Sequence, residues 1–389
     1  MNSVVSVSWN LNMNFLNLEH GFIGQQSFSV NERFRHQVSA LNDSTSQYLR
    51  HEFARDRAQI MADLARFCAV DPGEILLTRS CSEALQILLH GYPLAAGDQV
   101  ICSLQDYDTV HFTLGKLVET KQITLNLLAI PFTEMSESDY VEAYEKAITA
   151  DTKLIVLSHV CHRHGLILPV KQITEMAQQY GVDVLVDAAH SFALLNSRFR
   201  GFGADFVAVN LHKWFGAPAG TGLLYIKNTR IRDIKSTLHS SDFAENNILK
   251  LAPLGTSAAF SILNIADALA ENIASSGKAV QLSKLTAYWM ERLAKVAGVQ
   301  MVTPSTSRNF CAIGAFYVQG IAAAFIVEKL WQDFQILVVA RRLYDLDIIR
   351  VTVCTRTTIA DLDYFLAALS TIIAPANCPE LTVLPKLCG

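Results

Sequence analysis

Charged residues are scarce in this sequence, and long apolar runs are absent from it. Only 17% of the 389 residues are Asp, Glu, Lys or Arg, and the formal net charge is −4, which gives no electrostatic basis for binding nucleic acid or an anionic membrane. Apolar runs such as LIVLSHV and FLAALSTIIAPA are too short to span a bilayer. The N-terminus MNSVVSVSWNLNMNF has no basic residue before its apolar positions, unlike a signal peptide. We therefore expect a soluble cytoplasmic protein without a nucleic-acid or membrane partner.

The cysteines and histidines form no metal-binding pattern. Eight cysteines in a chain of this length include no C-x-x-C pair and no dense disulfide framework, which favours free thiols in a reducing compartment. The segment SHVCHRHG brings His159, Cys161, His162 and His164 together, but side chains on a strand alternate between faces and the spacing is not that of a zinc site. We therefore predict no metal site.

Motifs of two other chemistries are also missing. The segment GFGADF precedes a strand and lacks the third glycine of a dinucleotide-binding loop, so it does not predict NAD. A Gly-x-Ser-x-Gly elbow does not occur, which argues against a serine hydrolase of that type.

The middle of the chain alternates apolar strands with amphipathic helices. EILLT, DQVICS, TLNLLAI, KLIVLSH, DVLVD and DFVAVN read as strands, and their near-continuous apolar character fits a parallel sheet covered on both faces. KLIVLSH, the helical pattern PVKQITEMAQQYG and DVLVD form a βαβ unit, so the class is α/β. After about Gly255 the alternation ends, and long helices with a few strands indicate a smaller α+β domain. We predict an N-terminal segment over 1–24, a large domain over 25–255 and a small domain over 256–389.

Three features should meet at the carboxyl ends of the parallel strands, where ligands bind in open α/β sheets. Asp187 ends the strand DVLVD, and the small residues after LLT begin a helix whose free N–H groups form an anion site. Lys213 follows DFVAVN between His212 and Trp214, next to a Gly/Pro loop. Asp187 and the small residues at the helix start also fit ordinary capping roles. A desolvated lysine at the position of Lys213, however, can act as a nucleophile. Together they fit pyridoxal phosphate (PLP), which needs an imine lysine, a carboxylate for its ring nitrogen and an anion site for its phosphate.

Several longer segments carry a family resemblance. DVLVDAAHSF and GADFVAVNLHKWFGAPAGTGLLYIK resemble the class V aminotransferase group of PLP-dependent enzymes, fold type I, and particularly its isopenicillin N epimerase-like and cysteine desulfurase-like members. FLNLEHGFIG, LTRSCSEALQILLHGYPLAAGDQVICSLQDYD, LSHVCHRHGLILPV and IIRVTVCTRTTIADLD extend the similarity along most of the chain. The resemblance implies a large domain with a mostly parallel seven-stranded sheet.

The resemblance also implies the roles of the residues that hold the cofactor. Lys213 would carry PLP as the internal aldimine and act as acid and base at the substrate α-carbon, while Asp187 would keep the ring nitrogen protonated. The remaining cofactor contacts implied are the helix start at Cys81 and Ser82 and the side chains of His212, Tyr107, His162 and His190. Thr256, in a Gly-Thr pair, would reach the phosphate of a neighbouring subunit, which implies a homodimer.

Arg350 and Arg163 are the substrate residues that the resemblance implies. Arg350 would bind the substrate α-carboxylate, and Arg163 lies where relatives have Arg-Thr-Gly. Ser257 replaces an arginine found in many epimerase-like sequences, and ILVVARRLYDLDIIR lacks the cysteine that desulfurases carry before the carboxylate arginine.

We therefore expect a PLP-dependent enzyme that acts at the α-carbon of an amino acid, of epimerase or lyase type. An aminotransferase, a cysteine desulfurase or C–S lyase, and a PLP-binding protein without turnover are the alternatives. Tyr107, His162 and His190 are equal candidates for the second acid/base that an epimerase needs.

Overall fold

A computed structural model describes residues 15–132, 135–195, 198–237, 243–252, 255–275, 277–304 and 310–374. The helices are, in chain order, α1 (Phe28–Asn42), α2 (Thr45–His51), α3 (Phe53–Cys68), α4 (Cys81–Gly91), α5 (Asp108–Lys121), α6 (Glu137–Glu145), α7 (Val170–Gln179), α8 (Phe199–Phe202), α9 (Ala259–Leu263), α10 (Ile265–Ala274), α11 (Lys278–Leu293), α12 (Ala323–Phe334) and α13 (Ile359–Ile373). The strands are β1 (Leu16–Asn17), β2 (Ile75–Thr78), β3 (Gln99–Ser103), β4 (Thr124–Leu128), β5 (Thr152–Ser158), β6 (Asp183–Asp187), β7 (Phe206–Asn210), β8 (Gly222–Ile226), β9 (Val299–Met301), β10 (Ile313–Val318), β11 (Ile336–Leu337), β12 (Val339–Leu343) and β13 (Leu346–Thr352). None of the helices in these ranges is long and apolar enough to cross a membrane.

A seven-stranded sheet with the order β2-β8-β7-β6-β5-β3-β4 forms the centre of the molecule. β8 is antiparallel to both of its neighbours, and the other neighbouring pairs are parallel. Apolar clusters lie on both faces of the sheet, which is why its strands read as continuous apolar runs. The predicted α/β class with a mostly parallel seven-stranded sheet is confirmed. β8 is not among the strands predicted from the apolar pattern, although its sequence GLLYI carries that signal.

The strand ends bring the predicted site residues to one edge of this sheet. In the parallel register Ser158 at the end of β5 faces Asp187 at the end of β6, and Asp187 faces Ala208 of β7. On the far side of β7, Gly222 at the start of β8 pairs with both Asn210 and Thr78. The N-terminus of α4 and the loop that carries Lys213 therefore meet the carboxyl end of β6.

A second, four-stranded antiparallel sheet has the order β12-β13-β10-β9. Its core includes residues of α11, α12 and α13, and Trp289 is fully buried there, with ring centroids 6.2 Å from Phe316 and 6.1 Å from Phe365. A Cβ on Gly314 would lie 2.3 Å from the Trp289 ring, so glycine is required for this packing. α13 begins with a capping box, in which Thr358 accepts from the Asp361 N–H.

The predicted domain boundary near residue 255 stays a prediction. α9 and α10, which follow that position, contribute Ile262, Ile265 and Leu269 to the core beside the seven-stranded sheet. α11 and the elements after it belong to the core of the second sheet.

Candidate active site

Lys213 lies in the loop between β7 and β8, and its amine contacts a histidine. Nζ of Lys213 is 2.9 Å from Nε2 of His190. Burial lowers the pKa of Lys213 to about 8, although the negative charge of Asp187 acts in the opposite direction. The pKa of His190 lies well below its usual range because of burial and the nearby Lys213 charge. His190 is therefore neutral and accepts a hydrogen bond from the amine.

Asp187 is buried at the end of β6, next to this pair. Its Oδ1 accepts hydrogen bonds from the Ala189 N–H at 2.9 Å and from the Cys81 thiol at 3.3 Å. Burial raises the pKa of Asp187, while the Ala189 N–H and the Lys213 charge counteract that increase. Both hydrogen bonds fall on Oδ1, which leaves Oδ2 for a cationic partner such as a protonated ring nitrogen.

The N-terminus of α4 lies beside β8 at the same edge. Ser80 caps the helix by accepting from the Glu83 N–H at 3.1 Å, and the Cys81 N–H donates to Oδ1 of Asn210 at 2.8 Å. In the described part of the chain the Ser82 N–H has no acceptor, so it is the free donor of this helix start. A Cβ on Gly222 would lie 2.6 Å from the Ser80 backbone, so this close approach needs glycine.

His212 and Tyr107 are both predicted to contact the cofactor, and each makes a defined contact within the protein. Nδ1 of His212 is 2.8 Å from the carbonyl oxygen of Thr221, which can only accept, so Nδ1 carries the hydrogen and Nε2 is left for another group. Burial lowers the pKa of His212. The exposed ring of Tyr107 packs edge-on against the buried His162, with centroids 5.3 Å apart.

Arg350 is buried on β13 and already has a carboxylate partner. Its guanidinium is ion-paired with Glu19 and donates from Nη1 to the His162 carbonyl at 2.6 Å. Nη2 of Arg341 lies 3.6 Å from the same Glu19 oxygen, so one carboxylate serves two arginines. Burial lowers the pKa of Arg350, and the Glu19 charge opposes that decrease. The cluster keeps one excess positive charge.

Arg163 is held by the loop before α5. Its guanidinium is ion-paired with Asp108 and donates from Nη1 to the Asp106 carbonyl at 3.2 Å. Its side chain is 11% exposed. These contacts connect Arg163 to the Tyr107 loop, and its predicted contact with substrate stays a prediction.

Sequence reasoning did not assign three residues of the site, and two of them, Gly24 and Lys278, contact the Lys213 loop. The Gly24 N–H donates to the His212 carbonyl at 2.9 Å, and a Cβ on Gly24 would lie 1.8 Å from the Lys213 carbonyl oxygen. The half-buried Lys278 donates to the Trp214 carbonyl at 2.7 Å. The third residue, Glu19, lies in the segment FLNLEHGFIG. The acidic residue and the glycines of that segment are the sequence features that could have indicated a role at the site.

The remaining predicted positions have ordinary surroundings. Thr256 is exposed in the segment before α9. Burial lowers the pKa of His159 to about 4 and that of His164 to about 3, as expected of core histidines. Over the described ranges no group of three or more His, Cys, Asp or Glu side chains is arranged for a metal ion.

The residues at this edge fit PLP. Counting only the described residues, a buried carboxylate with a free oxygen and a helix N-terminus with a free N–H lie near the lysine amine, and Nδ1 of His190 is buried without a hydrogen-bond partner. A lysine, a carboxylate and an anion site at the carboxyl edge of an α/β sheet define a PLP-dependent enzyme.

Comparison with known proteins identifies the family. Residues 27–342 match the family model Aminotransferase class-V, and the chain belongs to this family. It is a PLP-dependent enzyme family, so the predicted family and cofactor are confirmed.

Named relatives differ in their activities. The chain is 26% identical over 222 residues to isopenicillin N epimerase of Streptomyces clavuligerus, which covers 57% of this chain and 56% of the relative. It is 28% identical over 165 residues to a protein named probable cysteine desulfurase of Halalkalibacterium halodurans, which covers 42% of this chain and 40% of that protein. The matched segments thus span about half the length of these curated relatives.

The fold matches solved structures over a longer range. The complex of the cystine C–S lyase C-DES with its reaction product cysteine persulfide has a TM-score of 0.83 at 22% identity, and the match covers 92% of this chain and 97% of that chain. At this identity the similarity establishes the fold.

Proposed function

We propose that this protein removes the α-proton of an amino acid with the help of PLP, as an epimerase or a lyase. The observation that carries the proposal is the contact between Lys213 and His190 beside the buried Asp187. A lysine with a pKa of about 8 is partly neutral near physiological pH and can serve as nucleophile and then as base.

When bound, PLP supplies an electron sink for the electron pair that remains on the α-carbon after deprotonation. Asp187 would keep a proton on the ring nitrogen through Oδ2, since burial strengthens the interaction between the two charges. The Ser82 N–H would donate to the cofactor phosphate. Because Nδ1 of His212 donates to Thr221, Nε2 would donate to the phosphate only from the protonated ring, which the phosphate charge would favour against the effect of burial. His190 accepts from Lys213 and fixes the orientation of its amine.

The substrate carboxylate is bound by the arginine cluster of Arg350 and Arg341. Because Glu19 neutralises one of these two charges, one positive charge remains to attract a monoanionic carboxylate. The carboxylate either displaces Glu19 from Arg350 or binds to Arg341, which is the more exposed arginine.

Lyase and epimerase chemistry make different demands on this site. β-Elimination requires one base at the α-carbon, and the Lys213–His190 pair meets that demand. Epimerisation requires a second acid/base that does not share its proton with the lysine. His190 shares a hydrogen bond with Lys213, so Tyr107 and His162 are the better candidates for that role.

The other reactions have less support. In this chain β12 and β13 form a hairpin in which Leu343 pairs with Leu346, and the segment before Arg350 holds no cysteine. The cysteine thiol that would form a protein persulfide on a loop at that position is therefore missing. Transamination stays an alternative that product analysis decides. We further propose a cytoplasmic homodimer in which the exposed Thr256 reaches the neighbouring subunit's phosphate site.

The test is a screen of amino acids with the PLP-loaded protein in deuterated water. α-Deuterium with inverted chirality identifies an epimerase, and a keto acid formed without an amine acceptor identifies a lyase. Lys213→Ala should be inactive. Lys284→Ala, which removes an exposed lysine outside the site, is the matched control and should keep wild-type activity. If no amino acid exchanges its α-proton or forms product in the wild type, the proposed function is wrong.

A further inference from the structure

A cavity of about 560 Å³ lies outside the amino-acid site, and none of the residues assigned to that site lines it. It opens between the N-terminal segment, the end of α12 and the loop before α13. The residues that line it include Asn17, His20, Cys354, Arg356 and Thr357.

Cys354 lines this cavity, and hydrogen-bond donors surround its sulfur. Its sulfur accepts hydrogen bonds from the Arg356 backbone N–H and from the Thr357 hydroxyl, the latter at 3.7 Å. The Cys354 N–H donates in turn to Oγ1 of Thr357 at 3.0 Å, which fixes the turn. The loop leads into α13, whose N-cap is Thr358.

His20 provides an acceptor for the thiol proton. The imidazole is 3% exposed, and its Nε2 lies 3.0 Å from the Asn17 carbonyl oxygen. Because a carbonyl only accepts, Nε2 carries the hydrogen and Nδ1 presents a lone pair. Nδ1 has no hydrogen bond of normal geometry among the described residues, and Cys354 is the thiol beside it.

The electrostatics of the cavity agree with this geometry. Burial raises the pKa of Cys354, but the adjacent His20 ring and the hydrogen bond from the Arg356 N–H outweigh burial and bring the pKa to about 7. The charged groups that line the same cavity are the Arg356 side chain and the carboxylates of Asp333 and Asp361. Asp333 is paired with Lys329, and Asp361 caps α13.

The other cysteines in the described part of the chain have the opposite character. Cys68, Cys81, Cys102, Cys161 and Cys311 are buried, and burial raises the pKa of each. Cys354 alone among these six is partly exposed. Among the described cysteines, Cys354 is therefore the one whose thiolate a reagent in solution can reach.

We propose that Cys354 and His20 form a reactive-thiol site, distinct from the PLP site, that is modified by small disulfides. The Cys354 thiol proton moves to Nδ1 of His20, and the thiolate attacks one sulfur of the disulfide. A new bond forms between Sγ and that sulfur while the original S–S bond breaks, and the other half leaves as a thiolate. The disulfide is the oxidant, so the exchange needs no other co-reactant.

The probe is bis(2-hydroxyethyl) disulfide, which has no amino-acid group and so cannot enter the PLP reaction. The PLP-loaded protein is incubated with it, and peptide mapping identifies the modified cysteines. Iodoacetamide labelling of the same peptides at several pH values then gives a rate profile for each cysteine. We expect a mixed disulfide on Cys354 and a half-maximal alkylation rate near pH 7, against about 8.5 for an unperturbed thiol.

Two variants separate chemistry from folding. His20→Gln should move the alkylation midpoint of Cys354 upward by about one pH unit or more, and Thr357→Val should move it in the same direction. His51→Gln, on an exposed helix, should leave it unchanged. Thermal melting checks that the variants are folded. An unmodified Cys354 in the wild type, or a midpoint near 8.5 that is the same in wild type and His20→Gln, overturns the proposal.

Discussion

Nζ of Lys213 lies 2.9 Å from Nε2 of His190. Both groups have a lowered pKa because burial disfavours the charged form of each, and the Lys213 charge lowers the pKa of His190 further. His190 thus stays neutral, and the shared proton belongs to Lys213. The amine loses that proton near pH 8, within reach of physiological conditions.

Attachment of PLP to the cofactor-free protein should follow this titration. The neutral amine is the nucleophile, so the rate should rise as pH increases through about 8 and level off above it. The growth of the visible absorbance band measures the rate. Nα-acetyl-lysine is the control, since its amine titrates near 10.4. A rate for the protein that keeps rising to pH 10 would contradict the lowered pKa.

Asp187→Asn should reduce turnover far more than cofactor binding. The amide keeps the size of the side chain but no longer holds a proton on the ring nitrogen, so deprotonation of the substrate should slow on the order of 100-fold or more. Steady-state rates and cofactor titration measure the two effects. Asp151→Asn, at an exposed turn, is the matched control. Equal rates in Asp187→Asn and wild type would remove Asp187 from the chemistry.

Gly24→Ala should disturb the Lys213 loop from the N-terminal side. A Cβ there would lie 1.8 Å from the Lys213 carbonyl oxygen, so one backbone segment must move, at a cost of about 1–3 kcal/mol in unfolding free energy. Chemical denaturation and PLP retention during gel filtration report the effect. Gly73→Ala, where an added Cβ has no neighbour within 4 Å, should have little effect. Similar results for both variants would show that the contact has no role.

Glu19→Gln should strengthen the binding of carboxylate ligands. The substitution leaves Arg350 and Arg341 without their shared carboxylate, so the ligand-free variant should melt at a lower temperature than wild type. An amino acid restores a negative charge, and the rise in Tm that it produces should be larger in Glu19→Gln than in wild type. Glu328→Gln on the surface is the control. An equal ligand-induced shift in both proteins would mean that Glu19 does not compete with substrate.

Much of the fold and the centre of the site could be predicted from local patterns. The strands ending at Asp187 and Asn210 are apolar throughout, and the chemistry-bearing residues follow their carboxyl ends directly. The capping box of α13 is likewise a local signal.

The partners of the predicted residues depend on contacts between distant parts of the chain. The pairing of Glu19 with Arg350 joins residues 331 positions apart, and the Asn210 bond to the Cys81 N–H joins residues 129 apart. The requirement for glycine at Gly24 arises only once it lies against the Lys213 carbonyl. Neither composition nor periodicity encodes such a contact.

Reduction of the PLP-loaded protein with borohydride, followed by mass spectrometry of the modified lysine, tests most directly whether Lys213 carries the cofactor. We expect loss of the visible band and a PLP adduct on Lys213, with no adduct in Lys213→Ala. Lys278 is an internal comparison, because burial also lowers its pKa to about 8 while its amine bonds to the Trp214 carbonyl. An adduct on Lys278 in place of Lys213, or none at all, would contradict the assignment of Lys213 as the cofactor lysine.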